Sequence, residues 1–197
     1  MSYKNDSAFT GLEAAIVLIA FVVVAAVFSY VVLGAGFFTT QKSQETVYKG
    51  VEQATSNIQM MGQVYGMGGS NAVDNNGTAA GIEKVKFTIG LAPGAPSVDL
   101  SKLTIVYSNE TTSPRLIQQI GGTDGSIYGF AATKSGSAVT TMAGQEQIDI
   151  EFMTGYTATT TPGKNTKITI ELRPAVGASL PFTRTVPATI QDVNVLY

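Results

Sequence analysis

From Ala14 to Phe38 the chain runs for 25 residues without a charge: AAIVLIAFVVVAAVFSYVVLGAGFF. As a helix rising about 1.5 Å per residue this segment is about 37 Å long, enough to cross a hydrocarbon layer of about 30 Å. Ser29 and Tyr30 are its main polar interruptions. A soluble domain rarely carries such a run, so the segment is expected to spend some stage of its life in lipid. A cleaved secretory signal fits poorly. Such a signal has about 7–15 apolar residues behind a basic front, whereas this run is longer and Lys4 is the only basic residue before it.

The helix is expected to continue past Phe38. In TTQKSQETVYKGVEQATSNIQMM the residues Val47, Val51, Ala54, Ile58 and Met61 recur at spacings of 4, 3, 4 and 3, a helical apolar stripe. Glu45 and Lys49 stand four apart in the favourable order. This predicts one helix from about Ala8 to about Gln59, roughly 75–80 Å long. Its first half suits a membrane and its second half is amphipathic. The plain reading of the second half is a surface helix on its own domain; the sharper one is packing against equivalent helices of neighbours. Gly34, Ala35 and Gly36 lie within the helix, where glycine costs about 1 kcal/mol relative to alanine. Either a local kink or close helix–helix approach accounts for them.

The rest of the chain has a different grammar. Residues 61–81, MGQVYGMGGSNAVDNNGTAAG, read as a linker loop rich in Gly, Asn and Ala. Beyond it, short β-branched and aromatic runs bounded by turn residues predict strands at Lys84–Leu91, Leu103–Ser108, Arg115–Ile120, Ile127–Ala132, Gln147–Met153, Lys167–Arg173, Leu180–Val186 and Asp192–Tyr197. Ile148, Ile150 and Phe152 alternate with Asp149 and Glu151. Ile168, Ile170 and Leu172 alternate with Thr169 and Glu171. Alternation means one buried and one wet face, as in an antiparallel sandwich. The expected fold is α+β: an apolar N-terminal helix (residues 1–60), a linker (61–81) and an immunoglobulin-like β-sandwich (82–197).

Composition removes several kinds of chemistry. The chain has no Cys and no His, which takes away thiolate metal sites, the commonest zinc ligand and the commonest general base. Charged residues are 13% and the net charge is −2, so nucleic-acid binding has no electrostatic support. A weakly charged surface rich in Thr, Ser, Gly and Asn suits packing against copies of itself, or a coat of sugar. Asp74-Asn75-Asn76-Gly77 lacks the spaced ligands and terminal Glu of a calcium loop and reads as a turn. Gly66 to Gly69 lacks the lysine of a phosphate-binding loop. No cofactor and no metal site are expected.

The apolar run opens with Phe9-Thr10-Gly11-Leu12-Glu13. A carboxylate at the front of a membrane-length helix needs a reason. Thr10-x-x-Glu13 fits a capping box, in which both side chains satisfy free backbone amides. The compatible functional reading is that Glu13 meets a positive group on a neighbouring subunit. Phe, Glu four positions later and then a long apolar helix is similar to the mature start of type IV pilins. The longer string FTGLEAAIVLIAFVVVAAVFSYVVLGAGFFTTQKSQETV resembles an archaellin, the archaeal flagellin built on the type IV pilus plan. The resemblance covers about residues 8–60.

That resemblance implies a structural polymer subunit and not an enzyme. The precursor would sit transiently in the membrane and lose a short leader to a dedicated peptidase. An assembly ATPase and a membrane platform would then stack it with further copies of itself. Phe9, Gly11, Leu12, Glu13, Phe21, Val24, Phe28, Gly34, Gly36 and Phe37 would line the filament core, with the sandwich outside the cell. The family's leader ends in a basic residue and Gly, and residues 1–8 contain no Gly, so the numbering is expected to begin at the processed N-terminus. Sequons at Asn5, Asn76 and Asn109 are the expected glycosylation sites, and Thr157–Thr161 is a polar loop. The other readings of the same residues are an adhesion pilin and, further off, a membrane-anchored extracellular β-domain.

Overall fold

The computed structural model describes residues 6–69, 81–121, 127–155 and 160–197, with helix side chains described from Gly11 onward. The chain divides into two compact units, Met1–Lys49 and Gly50–Tyr197. The first is helix throughout its described length. Helix α1 spans Asp6–Thr55, 50 residues, and its last turn belongs to the second unit. It runs through Gly34 and Gly36 without a break. Just beyond them the Thr39 and Thr40 hydroxyls donate to the carbonyls of Ala35 and Gly36 at 2.8 and 2.9 Å. Two polar groups at the end of the apolar run are thereby satisfied within the helix, as apolar surroundings require.

Among its described residues the second unit holds thirteen strands. They are β1 (Ile58–Gly68), β2 (Ile82–Leu91), β3 (Val98–Asp99), β4 (Thr104–Asn109), β5 (Arg115–Ile117), β6 (Gln119–Ile120), β7 (Gly129–Lys134), β8 (Ser137–Ala138), β9 (Thr141–Met142), β10 (Gln147–Met153), β11 (Lys167–Arg173), β12 (Leu180–Thr185) and β13 (Val193–Leu196). A seven-stranded sheet has the order β13-β1-β2-β10-β7-β6, with β8 on β7. A four-stranded sheet has the order β12-β11-β4-β5. All pairings are antiparallel except β6 with β7.

The two sheets face each other across one core. Phe87 of β2 meets Phe182 of β12 edge-to-face at 5.4 Å, and Tyr107 of β4 meets Phe152 of β10 at 5.8 Å. The alternating residues Ile148, Ile150, Phe152, Ile168, Ile170 and Leu172 all point into this core, as their periodicity predicts. Arg115 of β5 reaches across to the C-terminal end of β10, donating to the carbonyls of Met153 at 2.7 Å and Thr154 at 3.0 Å. Thr185 and Tyr197 exchange backbone hydrogen bonds, which stitches β12 to the chain beyond β13.

Two expectations need correction. The helix ends at Thr55, not near Gln59, and residues 61–68 are strand, not linker. Only Ser56 and Asn57 separate α1 from β1, and Ser56 is buried. Ile58, placed on the helical stripe by its spacing, instead begins a strand and enters the core. The division into 1–60, 61–81 and 82–197 therefore gives way to a sandwich that starts before residue 60. The physical reason is partnership: β1 is flanked on both sides, by β2 and β13. Its polar and glycine-rich stretch is carried by a bulge, where Gly62 takes φ +76° and the register steps from Met61↔Thr88 to Tyr65↔Lys86. The second correction concerns Arg115–Ile120, expected as one strand. It breaks at Gln118 into β5 and β6, which belong to different sheets.

Candidate assembly surface

Among the described residues the apolar side chains of the helix stand exposed. Phe21 is 73% exposed, Phe28 70% and Val24 67%, and Leu12 and Phe37 are similarly bare. Over its most apolar 18 residues the mean hydropathy is 3.0, and none of that window is buried. A helix apolar on every side is stable only in lipid or inside a larger assembly. Gly11, Gly34 and Gly36 have open space where a Cβ would stand, so no contact among the described residues explains them. Between the rings of Phe28 and Phe37, the small residues Ala25, Ser29 and Gly36 leave a groove of about 600 Å³ along the helix.

Glu13 is the sole charge between Asp6 and Lys42. The capping-box reading is corrected here. Helix α1 is already formed at Asp6, so Thr10 and Glu13 lie inside it, away from the free amides of its first turn. Among the described residues Glu13 has no ion-pair partner. Of Phe9 the backbone is described, as helix, and its side chain lies outside the described residues.

Beyond Thr40 the helix becomes polar on one side. Glu45 accepts from Lys42 at 2.7 Å and from Lys49 at 2.6 Å. These bonds, that of Lys42 first, hold its carboxyl below the usual range. Val47 and Val51 remain exposed apolar positions on this half. The stripe thus persists to Ala54 and no further as helix.

Of the three sequons, Asn5 and Asn76 lie outside the described residues, as does the 74–77 turn; so do residues 157–159 of the polar loop. Asn109 ends β4 and is half-buried. Its side-chain oxygen accepts from the Thr111 amide at 3.1 Å and also from the Thr112 amide, while its Nδ2 donates to the Tyr107 hydroxyl at 3.3 Å. A glycan would replace one of the two Nδ2 hydrogens and leave a single N–H for that bond.

Sequence reasoning passed over an outward patch on the seven-stranded sheet: Tyr65 and Met67 of β1 opposite Val195 and Val193 of β13. The signal was present as alternation of Tyr65 and Met67 with Val64 and Gly66, but the glycines around it read as loop.

An unpartnered apolar helix joined directly to a β-sandwich defines a protein built to bury that helix against other molecules. The archaeal-type flagellin model matches residues 8–184. Two probable flagellins of Archaeoglobus fulgidus are similar over nearly their whole lengths. One is 39% identical over 98% of this chain and 96% of its own, the other 37% identical over 97% and 95%. The archaeal flagellum of Methanospirillum hungatei strain JF1 superposes with a TM-score of 0.72 at 34% identity, covering 95% of this chain and 99% of that one. The chain belongs to the archaeal-type flagellin family.

Proposed function

We propose that this chain is the structural subunit of an archaeal motility filament, acting mechanically and not by catalysis. One observation carries the reading: a 50-residue helix whose described apolar side chains stand exposed. A solved relative is a flagellum, and burial against other copies in such a filament would cover the helix. In this reading Leu12, Phe21, Val24, Phe28 and Phe37 are buried between equivalent helices, at about 25 cal/mol per Å² removed from water. Gly11, Gly34 and Gly36 allow close approach, and the groove beside Phe28 receives a ridge from a neighbour. Phe9, on the first turns of α1, joins the same packing. Glu13, alone in an apolar core, is neutralised by a cation of another copy, since an isolated buried carboxylate is too costly to keep charged.

The same helix holds the precursor in the membrane until a leader peptidase, an assembly ATPase and a membrane platform transfer it to the filament. The sandwich then lies outside the cell, with Asn76, Asn109 and Asn5 as its glycosylation candidates. The test is a cell line lacking this chain, scored for swimming and for surface attachment in parallel. Loss of swimming with attachment retained is expected. Loss of attachment with swimming retained would overturn the reading in favour of an adhesion filament.

A further inference from the structure

The two outer faces of the sandwich differ in chemistry. The four-stranded sheet shows water Thr104, Ser108, Thr169, Thr183 and Thr185 together with Lys167 and the Glu171–Arg173 ion pair, with Val106 and Leu116 as its one apolar cross-strand pair. Thr169 and Thr183 are hydrogen-bonded side by side at 3.3 Å. On the seven-stranded sheet, Val193 and Val195 of edge strand β13 stand opposite Met67 and Tyr65 of β1. Val193 is 59% exposed and Tyr65 39%. The next columns are charged but already neutralised: Lys84 pairs with Glu151 at 3.2 Å and Lys86 with Asp149 at 3.1 Å. The face is therefore an apolar corner flanked by columns of satisfied ion pairs, with the exposed Asp192 at its rim beside Val193.

We infer that this corner, Tyr65, Met67, Val193 and Val195, is the surface by which the sandwich packs against a second copy of the chain, and that the threonine face of the four-stranded sheet stays in water. The inference rests on the filament reading above. A second copy is the occupant the observations favour. The chain belongs to the archaeal-type flagellin family and superposes on a solved flagellum over 95% of its length, so in the filament reading each sandwich has neighbours of its own kind. A helical polymer also needs a contact of this heterologous type at every subunit. With 13% charged residues and a net charge of −2, copies repel one another little.

The chain contains no cysteine, so a single introduced thiol reports its own position. Val193→Cys and, as control, Thr169→Cys are introduced into the full chain. Maleimide labelling is timed on sheared filaments and on detergent-dispersed subunits. A thiol reached only when a contact opens reacts more slowly by the opening equilibrium. The thiol at 193 is expected to label at least about tenfold more slowly in filaments than in dispersed subunits, and the one at 169 within about twofold. Labelling at 193 as fast in filaments as at 169, or equally slow in both forms, overturns the inference. If the 193 variant does not assemble, hydroxyl-radical oxidation of unaltered filaments takes its place. Met67 is then expected to be protected on assembly and Leu116 not, and equal oxidation of Met67 in both forms overturns it. An absence of filaments from unaltered cells would sink the filament reading itself; filaments with an unprotected corner sink only this step.

Discussion

Replacing Phe21 by alanine tests whether the apolar surface of the helix holds subunits together. Phe21 is 73% exposed in the single chain, so nearly its whole ring is available for neighbours to cover. Burying a phenylalanine fully contributes about 1.5–3 kcal/mol. If the surrounding helices do not relax into the vacated space, Phe→Ala in a packed core costs about 3–5 kcal/mol. At about 1.4 kcal/mol per tenfold, the dissociation constant into water rises at least about tenfold, and more than a hundredfold at the upper end. Assembly out of the membrane is different, because lipid solvates the ring as well as neighbouring helices do. That step loses packing alone, and a helix with a mean hydropathy of 3.0 still inserts without one ring. The assay is therefore dissociation of sheared variant filaments on heating and in detergent, followed by light scattering, with precursor measured in the membrane fraction. Leu116→Ala on the sandwich surface is the control and is expected to change stability by less than about 0.5 kcal/mol. Phe21→Ala filaments that dissociate at the same temperature and detergent concentration as the parent would refute the reasoning.

Four further outcomes are expected. Glu13→Lys abolishes filaments while leaving precursor in the membrane, whereas Glu13→Gln reduces their number; sheared filament yield measures both, and normal yield from the lysine variant refutes the proposed cation partner. Burial pushes the Tyr107 phenol up to about 12 from its ordinary 10.0; the folded state holds this proton longer than the unfolded state, so stability is full below about pH 10 and falls by about 2 kcal/mol by pH 12. Denaturant titrations across that window are expected to slope less for Tyr107→Phe than for the parent, and equal slopes count against the assignment. Gly177 takes φ +109° and a Cβ there would lie 1.8 Å from the Ser56 carbonyl oxygen, so Gly177→Ala destabilises by more than about 1 kcal/mol, read as a lowered melting temperature. Asn76→Gln and Asn109→Gln each lower the intact subunit mass by one glycan, and an unchanged mass ends the claim for that site.

The sequence by itself determined the helix, because 25 uncharged residues leave one solution for backbone hydrogen bonds in an apolar setting. It also determined the strands that bury one face. Gln147–Met153 and Lys167–Arg173 were legible to the residue, since period-2 burial writes itself into side-chain choice. The residues of the helix surface were legible too, but not where the stripe ends. Ile58 and Met61 continue a helical spacing and nonetheless become strand, because Leu91 and Thr88 of β2, more than 20 residues away, are their partners. The local pattern carries no trace of partners so distant. The same holds for the break at Gln118 and for Glu13, whose capping role vanished once the helix began at Asp6. Only the tertiary structure decided which outer face is apolar. Tyr65, Met67, Val193 and Val195 come from the two ends of the sandwich sequence, and it is strand pairing, not composition, that lays them side by side.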